Sequence, residues 1–233
     1  MKKYLWFFFI PLLLLAGSAL GQEDVAQYLD ALERKYSGLK DYTVEVKVHF
    51  DMEGFKAPDM EGKLYFKAPD KMEVESKKVF FLPKEGGYFN PYMFKKEAFD
   101  IRLLEYITYD DRKAVKLKLI PKDPKKVKQG FVLILDIESH QIREFHTSSE
   151  EREVNGVIKY GKFKEFDLPT DIELHLDLQF NESFEMREFG QSPPKAKRMT
   201  GKVKITYSNY KVNLGLNDKI FKEMKSPVSS GSF

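Results

Sequence analysis

Polar and apolar residues alternate strictly between positions 41 and 52 of the chain. The apolar positions are Tyr42, Val44, Val46, Val48, Phe50 and Met52. The polar positions between them are Thr43, Glu45, Lys47, His49 and Asp51. A period of two residues is typical of a β-strand with one dry face and one solvated face. The pattern therefore predicts a long strand that buries a single face.

A helical repeat precedes this strand, because apolar residues recur there every three or four positions. These residues are Val25, Tyr28, Leu29, Leu32, Tyr36 and Leu39. Asp24 with Gln27 three residues later predicts a capping box, and Gly38 predicts a left-handed end to the helix. The helix and the strand each have one apolar face, so we expect both to be buried against each other or against a shared ligand.

The rest of the chain predicts further short strands in an antiparallel order. Met60, Gly62, Leu64 and Phe66 alternate with polar neighbours and predict the hairpin partner of the first strand. The other predicted strands lie around residues 72–74, 79–82, 103–109, 115–119, 131–137, 142–147, 157–163, 172–180 and 203–207. About eleven strands with no long helix between them exclude a parallel α/β sheet and predict a mainly β, or α+β, fold.

Residues 83–100 interrupt this alternation and are rich in aromatic side chains. Asn90 followed by Pro91 predicts an N-cap and the first position of a short helix. Phe89, Tyr92, Met93, Phe94 and Phe99 surround this helix start. Two interpretations remain open: the segment is a plug over the core, or it is a lid or a membrane-touching element.

The first 21 residues have the features of a signal peptide. Lys2 and Lys3 precede an apolar run, and the sequence Ala19-Leu20-Gly21 predicts cleavage after Gly21. A retained membrane anchor is the alternative, although the run is short for a spanning helix and contains Pro11. We therefore expect one domain over residues 22–225 and a disordered tail over residues 226–233.

The composition narrows the possible chemistry. There is no cysteine, so no disulfide framework or thiolate metal site is possible. The chain has 39 basic and 36 acidic residues, which gives no reason to expect a nucleic-acid partner. The 20 Phe and 12 Tyr residues favour a β-rich chain with much flat apolar surface to cover. Basic runs at residues 122–128 and 195–202 are consistent with anionic headgroup contacts or simply with solvated loops.

No pattern of catalytic or metal-binding residues emerges. His49, His140, His146 and His175 lack metal-ligand spacing and are expected on the polar sides of strands. The sequence has no nucleophile elbow and no phosphate-binding glycine loop. Carboxylates alternate with lysines on strand faces, which favours solubility over acid–base catalysis. We therefore predict a monomeric, non-enzymatic protein without a cofactor or metal.

Four stretches of the sequence resemble the LolA/LolB-like family of outer-membrane lipoprotein-sorting proteins. They are the helix from Tyr28 to Leu39, the run Gly62–Lys71, the run Phe131–Arg143, and Ile205–Asn213 with Asn217–Phe221. Together they span nearly all of the chain after residue 21. This resemblance implies a periplasmic protein with an unclosed, curved antiparallel half-barrel. It also implies helices over the concave face and an apolar groove for acyl chains.

The resemblance and the patterns together give candidate site residues. The predicted groove residues are Val44, Val46, Val48, Leu64, Phe66 and Phe80. The predicted lid residues are Leu29, Leu32, Phe89, Tyr92, Met93 and Phe94. The family's carrier form has an arginine before the proline that follows the second strand, and this arginine latches the lid. Ala68 stands at that position here, so we expect the lid to rest on apolar packing alone.

Two functions follow from these expectations. The first is a periplasmic carrier that shields the acyl chains of a lipoprotein or lipid on the way to the outer membrane, exchanging cargo with membrane donor and acceptor proteins. The second is a non-enzymatic envelope interaction or sensor protein with the same half-barrel and a self-filled core. Phe80, Phe89 and Phe94 distinguish the two, because a groove filled by these rings leaves no room for a ligand.

Overall fold

The computed structural model describes residues 24–54, 57–83, 87–125, 127, 129–149, 151–180 and 197–223. The predicted signal peptide over residues 1–21 and the predicted tail over residues 226–233 lie outside this part. Parts of both basic runs, including Lys126, Lys128 and Lys195, lie outside it as well.

Ten antiparallel strands form a single sheet in the described part of the chain. They are β1 (Asp41–Met52), β2 (Met60–Lys67), β3 (Lys71–Glu75), β4 (Phe99–Tyr109), β5 (Arg112–Pro121), β6 (Phe131–Asp136), β7 (Ile142–Ser148), β8 (Arg152–Phe163), β9 (Phe166–Phe180) and β10 (Lys197–Val212). Their order is β3-β2-β1-β10-β9-β8-β7-β6-β5-β4, so β3 and β4 are the edges and the sheet does not close. The prediction of a mainly β, unclosed antiparallel sheet is confirmed.

The alternation that predicted β1 describes its two faces correctly. Val44, Val46 and Val48 are at most 2% exposed, whereas Glu45, Lys47, His49 and Asp51 are exposed. Thr43 departs from the pattern because it is buried. The apolar side chains of β1 join those of β2 and β10 in one core cluster, which marks the buried face of the sheet. We keep the name concave face for this buried face.

The prediction of a strand over residues 79–82, one of the eleven expected strands, is wrong. This stretch leaves the sheet after the five-residue edge strand β3 and turns over the concave face. Phe80 packs there against Gly62 of β2, where a Cβ atom would lie only 3.1 Å from the Phe80 ring. The backbone N–H of Phe81 points to Met60 Sδ at 3.2 Å instead of a neighbouring strand. Apolar residues in this stretch therefore cover the sheet instead of extending it.

The expectation of several helices over the concave face is also wrong. The described residues contain one helix of three turns, α1 (Ala26–Tyr36), and one of four residues, α2 (Ile220–Glu223). The remaining cover is irregular and includes short 3-10 turns at Pro91–Met93 and Lys96–Ala98. We call residues 76–83 and 87–98 the cover segment. One helix and the cover segment together bury the apolar face.

The ends of α1 differ from the predicted caps. Val25 is the N-cap, and the Asp24 carboxylate accepts a hydrogen bond from the backbone N–H of Ala26 instead of completing a capping box with Gln27. Gly38 is not in the left-handed region. The helix ends at Ser37, whose hydroxyl donates to the Arg34 carbonyl at 2.9 Å.

Two turns of the sheet contain residues in the left-handed region. Asp110 and Asp111 have φ angles of 48° and 60°, as a two-residue hairpin requires, and form the turn between β4 and β5. His140 was expected on the polar side of a strand, but it lies in the turn between β6 and β7 with a φ angle of 52°. The short turn after Asp136 requires this conformation.

Candidate functional site

The predicted groove residues of β1 and β2 form one continuous wall on the concave face. Val44 lies opposite Leu64 and Tyr42 opposite Phe66, because the hairpin register aligns their apolar positions. On the other side of β1, β10 places Tyr207 opposite Val46 and Ile205 opposite Val48. The wall side chains Val44, Val46, Val48, Leu64 and Phe66 are all at most 2% exposed. Phe80 belongs to the same cluster but comes from the cover segment.

The predicted lid residues divide into two groups. Leu29 and Leu32 project from α1 and are 1% exposed, and Phe89 and Phe94 of the cover segment are 5% and 8% exposed. Tyr92 and Met93 are half-buried against the same core. The Phe89 ring meets Tyr36 edge-on at a centroid distance of 5.2 Å, and the Phe94 ring meets Phe131 in the same way at 5.2 Å. In this arrangement the cover segment is a plug whose aromatic rings point into the core.

Tyrosine hydroxyls attach the cover segment to its surroundings. Tyr42 of β1 donates to the Phe89 carbonyl at 2.8 Å, and Tyr207 of β10 donates to the Gly87 carbonyl at 2.6 Å. From the cover segment itself, the Tyr92 hydroxyl reaches the end of α1, where it lies 2.9 Å from the Tyr36 carbonyl and 2.8 Å from the Leu39 carbonyl. The expectation that the lid rests on apolar packing alone is therefore wrong. The sequence predicted Tyr42 on the apolar face of a strand and Tyr92 in the lid, but not their hydrogen bonds, because the alternating pattern does not show where a hydroxyl points.

The position of Ala68 explains part of this arrangement. Its side chain packs partly buried against the core, and its backbone N–H donates to the Lys40 carbonyl at 2.8 Å. A methyl group there can make no hydrogen bond to the cover segment, so polar contacts with the cover come from other residues, among them Tyr42, Tyr207 and Tyr92. Lys96 adds an ion pair with Asp30 of α1 at 2.8 Å.

Three further tyrosines lie close to these contacts. Tyr36 donates to the Asp167 carbonyl and Tyr160 to the Ile142 carbonyl, which are both part of the sheet. The Tyr210 hydroxyl is buried and has no hydrogen-bond partner among the described residues. Its ring lies 5.5 Å from that of Tyr42 and 6.4 Å from that of Tyr207.

The tyrosines are neutral hydrogen-bond donors at any physiological pH. Burial raises the pKa of the Tyr42, Tyr207 and Tyr210 hydroxyls far above the ordinary tyrosine value. Neighbouring hydroxyls raise it further, because ionised oxygens at these distances would repel one another. The concave face therefore offers neutral donors within an apolar surrounding, a chemistry suited to binding or packing.

Charged groups are found at the rim of this face. Lys35 at the end of α1 pairs with Asp167 at 2.6 Å and also donates to the Ser139 carbonyl at 2.8 Å. Burial alone would raise the pKa of the Asp167 carboxyl, but the hydrogen bond and charge of Lys35 hold it below its usual value. Buried Asp41 accepts backbone hydrogen bonds from residues 214–216 and orders the chain after β10.

Two searches of the described residues bear on other kinds of site. No group of three or more histidine or acidic side chains there is arranged to hold a metal ion. None of the helices in that part of the chain has the length and apolar character needed to cross a membrane.

The fold is similar to that of solved structures of the LolA superfamily. A domain from Vibrio parahaemolyticus described as an outer membrane lipoprotein-sorting protein has a TM-score of 0.58 at 11% identity and covers 85% of this chain and 96% of its own. A LolA superfamily protein from Nitrosomonas europaea has a TM-score of 0.50 at 14% identity, covering 83% and 96%. A DUF1329 family protein from Desulfovibrio piger has a TM-score of 0.58 at 12% identity, covering 84% and 95%.

These structural similarities define the class of this protein by its fold alone. No protein-family profile matches the sequence, and no curated protein is significantly similar to it. At 11–14% identity the similarity shows a LolA-type fold over most of the chain. The expected resemblance is thus confirmed at the level of the fold.

Proposed function

We propose that this protein is a non-enzymatic periplasmic carrier that shields the acyl chains of a lipid or lipoprotein. The observation that supports this proposal is the construction of the cover segment. It closes an apolar face without being part of the sheet. Among the described residues its polar attachments are few, and they include hydroxyl-to-carbonyl bonds, the Phe81 N–H contact with Met60 Sδ, two hydrogen bonds from Lys122 and one ion pair. Such a cover can move away while every strand pair remains intact.

The need for such a face follows from the cost of exposing a hydrocarbon chain. At about 0.8 kcal/mol per methylene, a 16-carbon chain costs roughly 10 kcal/mol in contact with water. The wall formed by β1, β2 and β10 shares one core cluster with Phe80, Phe89 and Phe94 of the cover segment. Phe80 packs against β2, whereas Phe94 packs against Phe131 of β6. In the proposed cycle, acyl chains replace these rings in the core, and the rings either move outward or line the chains.

Export and delivery complete the proposal. Cleavage after Gly21 would release the chain into the periplasm, where membrane donor and acceptor proteins would load and unload it. The LolA-type fold supports this role, because one of the similar structures is described as a lipoprotein-sorting domain.

A second function has an observation of its own. Phe80, Phe89 and Phe94 are at most 8% exposed, as expected of a self-filled core. An envelope interaction or sensor protein with this core would keep the cover segment closed and would bind a protein partner elsewhere. The two functions differ in whether the cover segment moves when lipid is present.

Hydrogen exchange with and without short-chain lipid tests this difference. A carrier should lose protection at the backbone amides of Gly87 and Met93, which donate to Pro83 and Asn90, while β1 and β10 stay protected. Mass spectrometry of organic extracts from the exported protein should also show an acyl lipid in stoichiometric amount. Unchanged exchange together with lipid-free protein would reject the carrier and favour the interaction protein.

A further inference from the structure

The Tyr210 hydroxyl is a buried donor without a visible acceptor. Each nearby tyrosine uses its hydroxyl proton on a backbone carbonyl, but Tyr210 has no partner within the described residues. A buried hydroxyl that makes no hydrogen bond is costly, so such a group usually has a partner supplied by water or by a ligand.

A local irregularity in β10 directs Tyr210 to the concave face. The register against β1 shifts between Thr43 and Glu45, so that Asn209 and Tyr210 lie opposite the single residue Val44. Asn209 has a φ of 57°, and its side chain donates outward to Glu45 at 2.7 Å. By simple alternation from Tyr207, residue 210 would face solvent. The bulge reverses this and places both tyrosines on the concave side.

The groups that accept hydrogen bonds from Tyr42 and Tyr207 indicate which kind of ligand group would bind beside Tyr210. Both hydroxyls donate to carbonyl oxygens of the cover segment, those of Phe89 and Gly87. When the cover segment moves away, these two donors become unpaired as well, close to Tyr210. A ligand that replaces the cover must supply neutral carbonyl oxygens in the same region, or the buried donors remain unpaired at a cost in affinity.

We propose that Tyr42, Tyr207 and Tyr210 form a binding site for the ester carbonyls of an acyl lipid. This inference rests on the proposed carrier function and specifies its cargo as ester-linked chains. The cover segment imitates that cargo, since its own carbonyls and aromatic rings occupy the site. The apolar setting opposes a free carboxylate or phosphate, because these hydroxyls lie within a hydrophobic core cluster where a buried anion would lose its hydration.

Two lipids that differ only at the carbonyl test the proposal. Calorimetry should compare the purified protein with dioctanoylglycerol and with its diether analogue, which has no ester carbonyl. We expect the wild type to bind the diester about tenfold more tightly, and Tyr210→Phe to reduce this preference without weakening diether binding. The ester carbonyl stretch in the infrared should shift to lower frequency when the diester binds to the wild type, and it should shift less in Tyr210→Phe.

Tyr160→Phe is the matched control. Its hydroxyl lies in the same tyrosine group but donates to Ile142 of β7, so its loss should leave the preference for the diester unchanged. Equal binding of both lipids by the wild type, with no effect of Tyr210→Phe, would overturn the ester site and leave the carrier function standing. Failure of the wild type to bind either lipid would overturn both.

Ester carbonyls occur both in phospholipids and in the diacylglyceryl group of lipoproteins. Dioctanoyl phosphatidylglycerol and an S-dioctanoylglyceryl cysteine peptide carry the same diester on different headgroups. A weaker affinity of the Tyr210→Phe variant for either ligand supports the site. The ligand that binds the wild type more tightly identifies the source of the cargo. Binding of both without any effect of Tyr210→Phe contradicts the proposal.

Discussion

The concave wall and the cover segment are equally buried but are held in place in different ways. In the wall, each strand satisfies its backbone groups through continuous ladders, so side chains such as Val46 and Leu64 need only be apolar. In the cover segment, carbonyls such as those of Gly87 and Phe89 depend on single tyrosine hydroxyls. Burial alone therefore does not show which region can move.

The difference has an energetic meaning. A hydrogen bond contributes about 0.5–1.5 kcal/mol net, so the few bonds that hold the cover segment are a small part of its attachment. Aromatic packing supplies the rest, and acyl chains could replace it with similar apolar contact. Opening the wall would instead break a ladder shared by three strands. We expect local opening of the cover to cost much less free energy than unfolding of the sheet.

The largest effect should come from a charge placed in the wall. Val46→Glu puts a carboxylate at a site that is 2% exposed and lies between Gly62 and Tyr207. We expect the free energy of unfolding to fall by several kcal/mol and binding of a fluorescent fatty acid to be lost, because nothing there pairs with the charge. Chemical denaturation and fluorescence titration measure the two effects.

Lys211→Glu provides the control for this change, because it adds a carboxylate at an exposed position of β10. Its effect should stay within about 0.5 kcal/mol, as is usual for surface substitutions. A Val46→Glu protein as stable as the control would mean that the wall is not the buried face.

The wall could be predicted from the sequence because its pattern is local. Strict alternation from Tyr42 to Phe50, and again from Met60 to Phe66, determines which side of each strand is buried. The antiparallel hairpin then aligns the two apolar faces. The predicted core positions Val44, Val46, Val48, Leu64 and Phe66 are all buried for this reason. The short edge strand β3 was found in the same way.

The cover segment could not be predicted in the same way, because its conformation depends on distant residues. Phe80 looked like part of a strand, but it packs against the face of β2 and not against a strand edge. The hydroxyls of Tyr42 and Tyr207 find carbonyls 47 and 120 residues away. The bulge at Asn209 appears in the sequence only as a change of phase, from apolar residues at 203, 205 and 207 to Tyr210 and Val212. The predicted strand over residues 203–207 stopped before this change.

The second-largest effect is expected when an aromatic ring is removed from the cover segment. Phe94→Ala removes a ring that is 8% exposed and packs against Phe131. We expect a loss of about 3 kcal/mol in the free energy of unfolding, typical of a buried phenylalanine, together with faster release of bound lipid. Stopped-flow fluorescence measures this off-rate.

Val79→Ala is the control within the same segment, since Val79 is 84% exposed. It should change neither stability nor the off-rate. Destabilisation by Phe94→Ala without any change in lipid release would favour a self-filled core over a carrier.

A smaller effect is expected when one attachment of the cover is removed. Tyr92→Phe deletes the hydroxyl that contacts the Tyr36 and Leu39 carbonyls. We expect the cover to open more easily by about 1–2 kcal/mol, with amide exchange of Met93 accelerated roughly tenfold and exchange in β1 unchanged. Tyr65→Phe is the control, because the Tyr65 hydroxyl donates to Glu75 on the solvated side of the sheet. Equal acceleration in both variants would contradict a specific role for Tyr92.

The smallest effect should be found at the rim, where α1 is tied to the sheet by Lys35 and Asp167. Since Lys35 lowers the pKa of the Asp167 carboxyl, this pair stabilises the folded state above the ordinary aspartate value of 3.8, and the contribution is lost as the pH falls through the lowered pKa. Its size should be about 1 kcal/mol or less, because both side chains retain partial exposure to solvent, 20% and 24%. Asp167→Asn should therefore lower stability slightly at neutral pH and reduce its decline below pH 3.8. Lys35→Met should also lower stability, with an added loss from the Lys35 hydrogen bond to the Ser139 carbonyl. The double variant should lose less than the sum of the two single variants. Additive losses in this cycle, measured by urea denaturation from pH 2 to 7, would show that the two side chains act independently and that the rim does not fix α1 through this pair.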